Sequence, residues 1–115
     1  MITLLLTLFT GISFIIYGVL LLKSKKMQEE FIRFDLENYI KLVGILELLG
    51  GIGLIIGLKF IYILQFSSLG LGILMFLGLL TRIKVKDSFL ISFPSLFFMI
   101  INFYILYLSF TQQIN

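Results

Sequence analysis

The sequence predicts an all-α, polytopic membrane protein: an antiparallel bundle of four transmembrane helices with a short interfacial helix between spans one and two. Three observations carry that expectation. Charged residues make up 13% of the 115 residues and apolar residues 60%, whereas soluble chains carry roughly 25% charged residues. Mean hydropathy is +1.16, which leaves too little polar surface to coat a globule in water. Four apolar runs are each close to the roughly 20 residues that cross a hydrocarbon layer of about 30 Å at about 1.5 Å per residue.

The first span covers residues 2–22, with no charge between Ile2 and Leu22. Lys23, Lys25 and Lys26 follow it. A cleaved signal peptide carries its positive charge before the apolar stretch, so retention of this segment is expected. The second span, 42–58, is interrupted only by Glu47; the third, 60–81, has no charge; the fourth is placed at 88–110. A closed barrel is disfavoured because the runs lack the polar alternation that a lumen face requires. The spans leave no room for a separate soluble domain, so the chain is read as a single transmembrane unit.

The first connection is long enough for a helix of its own, placed at about 27–40. Glu29, Arg33, Glu37 and Lys41 recur at steps of four, which would stack alternating charges along one stripe. Met27, Phe31, Ile32, Phe34, Leu36 and Tyr39 fall largely on the other side. An amphipathic helix at headgroup level fits this pattern. Asp35 sits among the apolar positions, where it either turns inward to a basic partner or caps a bend.

Cytoplasmic loops retain positive charge, so the lysines and arginines orient the bundle. Lys23, Lys25, Lys26, Arg33, Lys41, Arg82, Lys84 and Lys86 fall on one side, and Lys59 stands alone on the other. Both termini are therefore expected outside the cytoplasm, in a cell membrane of the bacterial inner-membrane type. The net charge of +3 is spread between apolar runs, so no nucleic-acid partner is expected.

The chain has neither Cys nor His. Thiol redox relays, zinc sites of the usual kind, histidine-ligated haem and imidazole-assisted nucleophiles are excluded for this chain alone. No cofactor, metal or catalytic residue is expected, and redox chemistry would require a partner.

Glu47 is the ionisable residue furthest inside a span, about 9–10 Å along its helix. A carboxylate at membrane depth must be neutralised, paired or hydrated. The fourth span offers Ser88, Ser92, Ser95, Asn102 and Ser109 on a heptad-like stripe, completed by Met99 and Leu106. The first offers Thr3, Thr7, Thr10 and Tyr17. The expected site is one interhelical polar cluster of Glu47, Tyr17, Ser92, Ser95 and Asn102. Pro94 removes the backbone donor to Leu90, which would kink the helix beside it. With no Ala in the chain, close helix approach is assigned to Gly44, Gly50, Gly51, Gly53 and Gly57. A space beside Glu47 for a ligand is the alternative to tight packing there.

The stretch RFDLENYIKLVGILELLGGIGLIIG, Arg33 to Gly57, resembles the DoxX-like family of small four-helix membrane proteins, whose second helix carries a Glu followed by a glycine pair. The resemblance continues through LGLGILMFLGLLTRIKVKDSFLISFP and extends from about Tyr17 to Tyr107. It implies a subunit of a membrane oxidoreductase or quinone-linked complex, and carries over Glu47, Gly50 and Gly51. Because redox ligands are missing, the expected function is a non-catalytic accessory or anchoring subunit. Its expected partners are the bilayer, a membrane protein or a second copy, and a lipid or quinone. The alternative is a small proton-linked transporter using Glu47.

Overall fold

A computed structural model describes residues 2–86 and 89–112. Five α-helices follow in order: α1 (Ile2–Lys23), α2 (Lys25–Arg33), α3 (Ile40–Ile56), α4 (Ile61–Lys84) and α5 (Phe89–Gln112), with a single 3-10 turn at Glu37–Tyr39. No strand occurs among the described residues. Four helical segments are long and apolar enough to cross a membrane. The packing runs α1 against α3, α3 against α4, α4 against α5 and α5 back against α1, an up-down-up-down ring.

Burial is inverted relative to a soluble bundle. Thr7, Thr10, Ser68, Asn102 and Ser109 are buried, while Leu5, Leu49, Phe66, Leu90 and Tyr107 face outward. Lipid solvates the outer apolar faces, so polar side chains gain only by turning inward. Phe14, Leu54, Leu64, Leu71, Phe98 and Ile105 form the apolar core. Phe14 and Phe98 each lie nine residues from the basic end of the bundle, at Lys23 and Phe89 respectively. Their ring centroids are 5.4 Å apart, which fixes the antiparallel register of α1 against α5.

The α1–α3 seam is built on two reciprocal glycine pairs. A methyl group at Gly51 would stand 2.6 Å from the Gly11 carbonyl oxygen, and one at Gly18 would stand 2.9 Å from that of Gly44. Both helices repeat glycine after seven residues, so the antiparallel backbones touch at two levels two turns apart. Gly50, Gly53 and Gly57 face α4 instead, against Leu71, Ser67 and Leu64. Gly11 and Gly18, which the sequence did not single out, are enclosed as well, an added methyl group standing 2.9 and 2.7 Å from its nearest neighbour.

The segment after α1 differs from the single helix expected over 27–40. α2 ends at Arg33, and Asp35 adopts φ 63°. The Asp35 amide donates to the Ile32 carbonyl at 3.0 Å and the Leu36 amide to that of Phe31 at 2.8 Å. This is the Schellman pattern, with Asp35 in the left-handed position. Asp35 is exposed, so it caps a bend. The charge stripe is cut at the same point, and Arg33 pairs with Glu30 at 2.8 Å. Ile32 and Tyr39 are exposed, whereas Phe34 is buried. Gln28 ties α2 to α1, its side-chain amide donating to the Leu21 and Leu22 carbonyls at 3.2 and 3.1 Å. Those carbonyls belong to the unsatisfied last turn of α1.

Candidate functional site: a cavity at the basic end

Side chains on a helix lean toward its N-terminus. α3 starts at the basic end, whereas α4 finishes there. Glu47 on α3 therefore leans toward that end, while Arg82, close to the last residue of α4, leans back into the bundle. The two meet in one cavity of about 310 Å³, lined from all four spans. Arg82 Nη1 donates to the Gly78 carbonyl at 3.2 Å and to the Ser95 hydroxyl at 2.9 Å. Its guanidinium carbon lies 5.3 Å from the Phe34 ring centroid, within cation–π range. Glu47 thus shares its cavity with a cation of opposite sign, one of the settings that make an acid at membrane depth tolerable.

The walls are apolar and aromatic: Phe14, Tyr17, Leu21, Val43, Leu74, Met75 and Phe98. Met27, Phe31 and Leu36 add a roof from α2 and the turn that ends it. Phe31 and Leu36 occupy the two positions that a Schellman motif brings into hydrophobic contact, so the bend at Asp35 also shapes the cavity. Polar atoms are confined to Glu47, Arg82, Ser95, Thr81 and Tyr17 and to backbone. A mostly apolar pocket of this size with a few convergent polar groups suits a small amphipathic ligand. Glu47 is 7% exposed and lies between Gly44 and Gly51 on the buried face of α3. The glycine contacts hold α1 close on both sides of it.

Of the residues expected in one polar cluster, Glu47, Tyr17 and Ser95 line the cavity. Ser92 is buried on α5 outside its lining, and Ser88 lies outside the described residues. Asn102 does not join. It lies thirteen residues from Phe89, about 20 Å deep, level with Thr10 at the same distance from Lys23. There its side-chain nitrogen donates to the Phe98 carbonyl at 2.7 Å. Its oxygen, like the hydroxyls of Thr7 and Thr10, has no hydrogen-bond partner among the described residues. The aromatic layer of Phe14 and Phe98 stands between the two polar levels.

Arg82 is the charged cavity residue that sequence reasoning missed, together with Phe34, which lies outside the lining but packs its ring against the guanidinium. Charge counting alone places Arg82 in a loop, yet the apolar run continues through Ile83 and α4 extends to Lys84, so the position of Arg82 inside the helix is a usable signal. No group of three or more metal-binding side chains occurs among the described residues.

The chain matches no curated protein and no solved structure. The model of the DoxX-like family matches residues 2–104, which takes in the first three spans, the fourth as far as Tyr104, and all the residues that line the cavity. With four apolar helices and this match, the protein is a multi-pass membrane protein that belongs to the DoxX-like family.

Proposed function

We propose that the protein is a non-catalytic accessory or anchoring subunit that holds a small amphipathic molecule, a lipid or a quinone, in the cavity beside Glu47 and Arg82. The observation that carries this reading is the cavity itself: four spans contribute apolar walls around one acid, one guanidinium and one serine hydroxyl. A partner protein would supply any redox chemistry, since the chain has no Cys or His. The basic end faces the cytoplasm of a bacterial inner membrane, with both termini on the opposite side. A C-terminal reporter active only in the cytoplasm would overturn that orientation.

Extraction in mild detergent followed by native mass spectrometry tests the binding role. The expected result is a co-purifying lipid, quinone or membrane protein. Loss of the small molecule from Val43→Trp, which fills the cavity wall, would locate it. A bare monomer from the wild type would count against the reading.

The alternative, proton-linked transport through Glu47, predicts proton release on adding substrate that is lost in Glu47→Gln and kept in Asp35→Asn. Binding is favoured because Phe14, Leu54, Leu64, Leu71, Phe98 and Ile105 pack into an apolar plug in the bundle. A carrier would have to open that plug.

A further inference from the structure

Glu47 and Arg82 are the charged side chains that line the cavity. They have opposite signs, stand on different helices, and approach the same layer from opposite directions along the bundle. Arg82 does not sweep freely, because Ser95 and the Gly78 carbonyl hold Nη1 and the Phe34 ring lies against the guanidinium. Glu47 stands on the buried face of α3, between the two glycine contacts that bring α1 close.

A head of net negative charge entering this space would meet Arg82 favourably but would also face Glu47. A head of net positive charge meets the reverse conflict. Both conflicts are amplified where water is scarce. A head carrying both signs in adjacent groups keeps the cavity neutral and gives each protein charge a partner. The aromatic rings of Tyr17, Phe14 and Phe98 add faces that favour an ammonium, and the remaining wall is suited to hydrocarbon.

Building on the binding role proposed above, we infer that the cavity selects an amphiphile whose head is an ammonium–phosphate zwitterion. The phosphate lies toward Arg82 and the ammonium toward Glu47. The guanidinium offers the planar, forked donor set that phosphate oxygens accept, and the carboxylate accepts from, or lies beside, the ammonium.

The test is competitive lipid retention by the full chain in detergent, read by native mass spectrometry. Phosphatidylethanolamine, phosphatidylcholine, phosphatidylglycerol and diacylglycerol are supplied at equal concentration. The wild type is expected to retain a zwitterionic lipid over phosphatidylglycerol by about tenfold, and Glu47→Gln to reduce that preference to about twofold. Arg82→Gln is expected to lose both zwitterionic lipids. The surface control Lys59→Gln, exposed at the opposite end of the bundle, should keep the wild-type ranking. Displacement by soluble glycerophosphoethanolamine would place the natural source in water, and failure to displace would place it in the membrane; both accord with the head chemistry.

Phosphatidylglycerol or diacylglycerol retained by the wild type as well as the zwitterions would overturn the inference. So would an unchanged preference in Glu47→Gln. The wild-type ranking decides the matter even if a variant does not fold. A cavity that holds a quinone or diacylglycerol in preference leaves the binding role standing and removes only the zwitterion. Retention of nothing, or retention unaffected by Val43→Trp, removes both.

Discussion

Arg82 and Ser95 are joined across the α4–α5 seam by a hydrogen bond of 2.9 Å, the guanidinium Nη1 donating to the serine hydroxyl. The bond turns a cation near the end of a span into a lining group of an internal cavity. It also couples the two helices at the level of Glu47. Ser95→Ala removes the acceptor and frees the guanidinium to withdraw toward the headgroups. The expected loss is about 1 kcal/mol in folding stability, the low side for a hydrogen bond to a charged group because the pair is only partly buried. Thermal unfolding in detergent measures it. A stability equal to wild type would mean that Arg82 is held by its other contacts.

Glycine substitutions should separate the seam from the lipid face. Gly51→Ala places a methyl group 2.6 Å from the Gly11 carbonyl oxygen, and backbone must move to admit it. A loss of about 1–3 kcal/mol is expected, in the range of overpacked cores. Gly70 has nothing within 4 Å of an added Cβ. Gly70→Ala should therefore be neutral or more stable by up to about 1 kcal/mol, from helix propensity alone. Equal losses at both positions would refute the assignment of the seam.

The deeper polar level makes a different prediction. The Thr7 and Thr10 hydroxyls are fully buried without a partner among the described residues. Valine has nearly the same shape and no polar group to leave unsatisfied. Thr7→Val and Thr10→Val are expected to be neutral or stabilising by about 1 kcal/mol in the same unfolding assay. A loss above about 1 kcal/mol would show that the hydroxyls hold a water or a partner.

α2 itself contributes no buried residue, so the roof of the cavity depends on Phe34 just beyond it. The Arg33 guanidinium carbon lies 4.7 Å from the Phe34 ring centroid and that of Arg82 5.3 Å. Phe34→Ala removes both contacts and the anchor. Trypsin cleavage after Lys25, Lys26 or Arg33 in detergent should then quicken by several-fold or more, because digestion tracks local opening. Phe34→Tyr should restore the wild-type rate. Unchanged digestion in Phe34→Ala would show that Gln28 and the Schellman turn suffice to hold α2.

The sequence by itself determined the solvent, the four spans and the inward turn of the polar side chains. Oil imposes a minimum apolar length and requires every backbone amide to be satisfied within its own helix, and both demands are written along the chain. The depth of Glu47 and the glycine face that buries it follow from helical spacing for the same reason. Only the tertiary structure decided which levels meet. Tyr17 and Ser95 reach the Glu47 cavity, whereas Asn102 lies beyond the Phe14–Phe98 layer, because the offset between antiparallel helices is set by their packing and not by spacing within either one. The same holds for Arg82. One-dimensional charge counting put it in a loop, and the lean of its side chain toward the start of α4, with a serine waiting on α5, brings it inside.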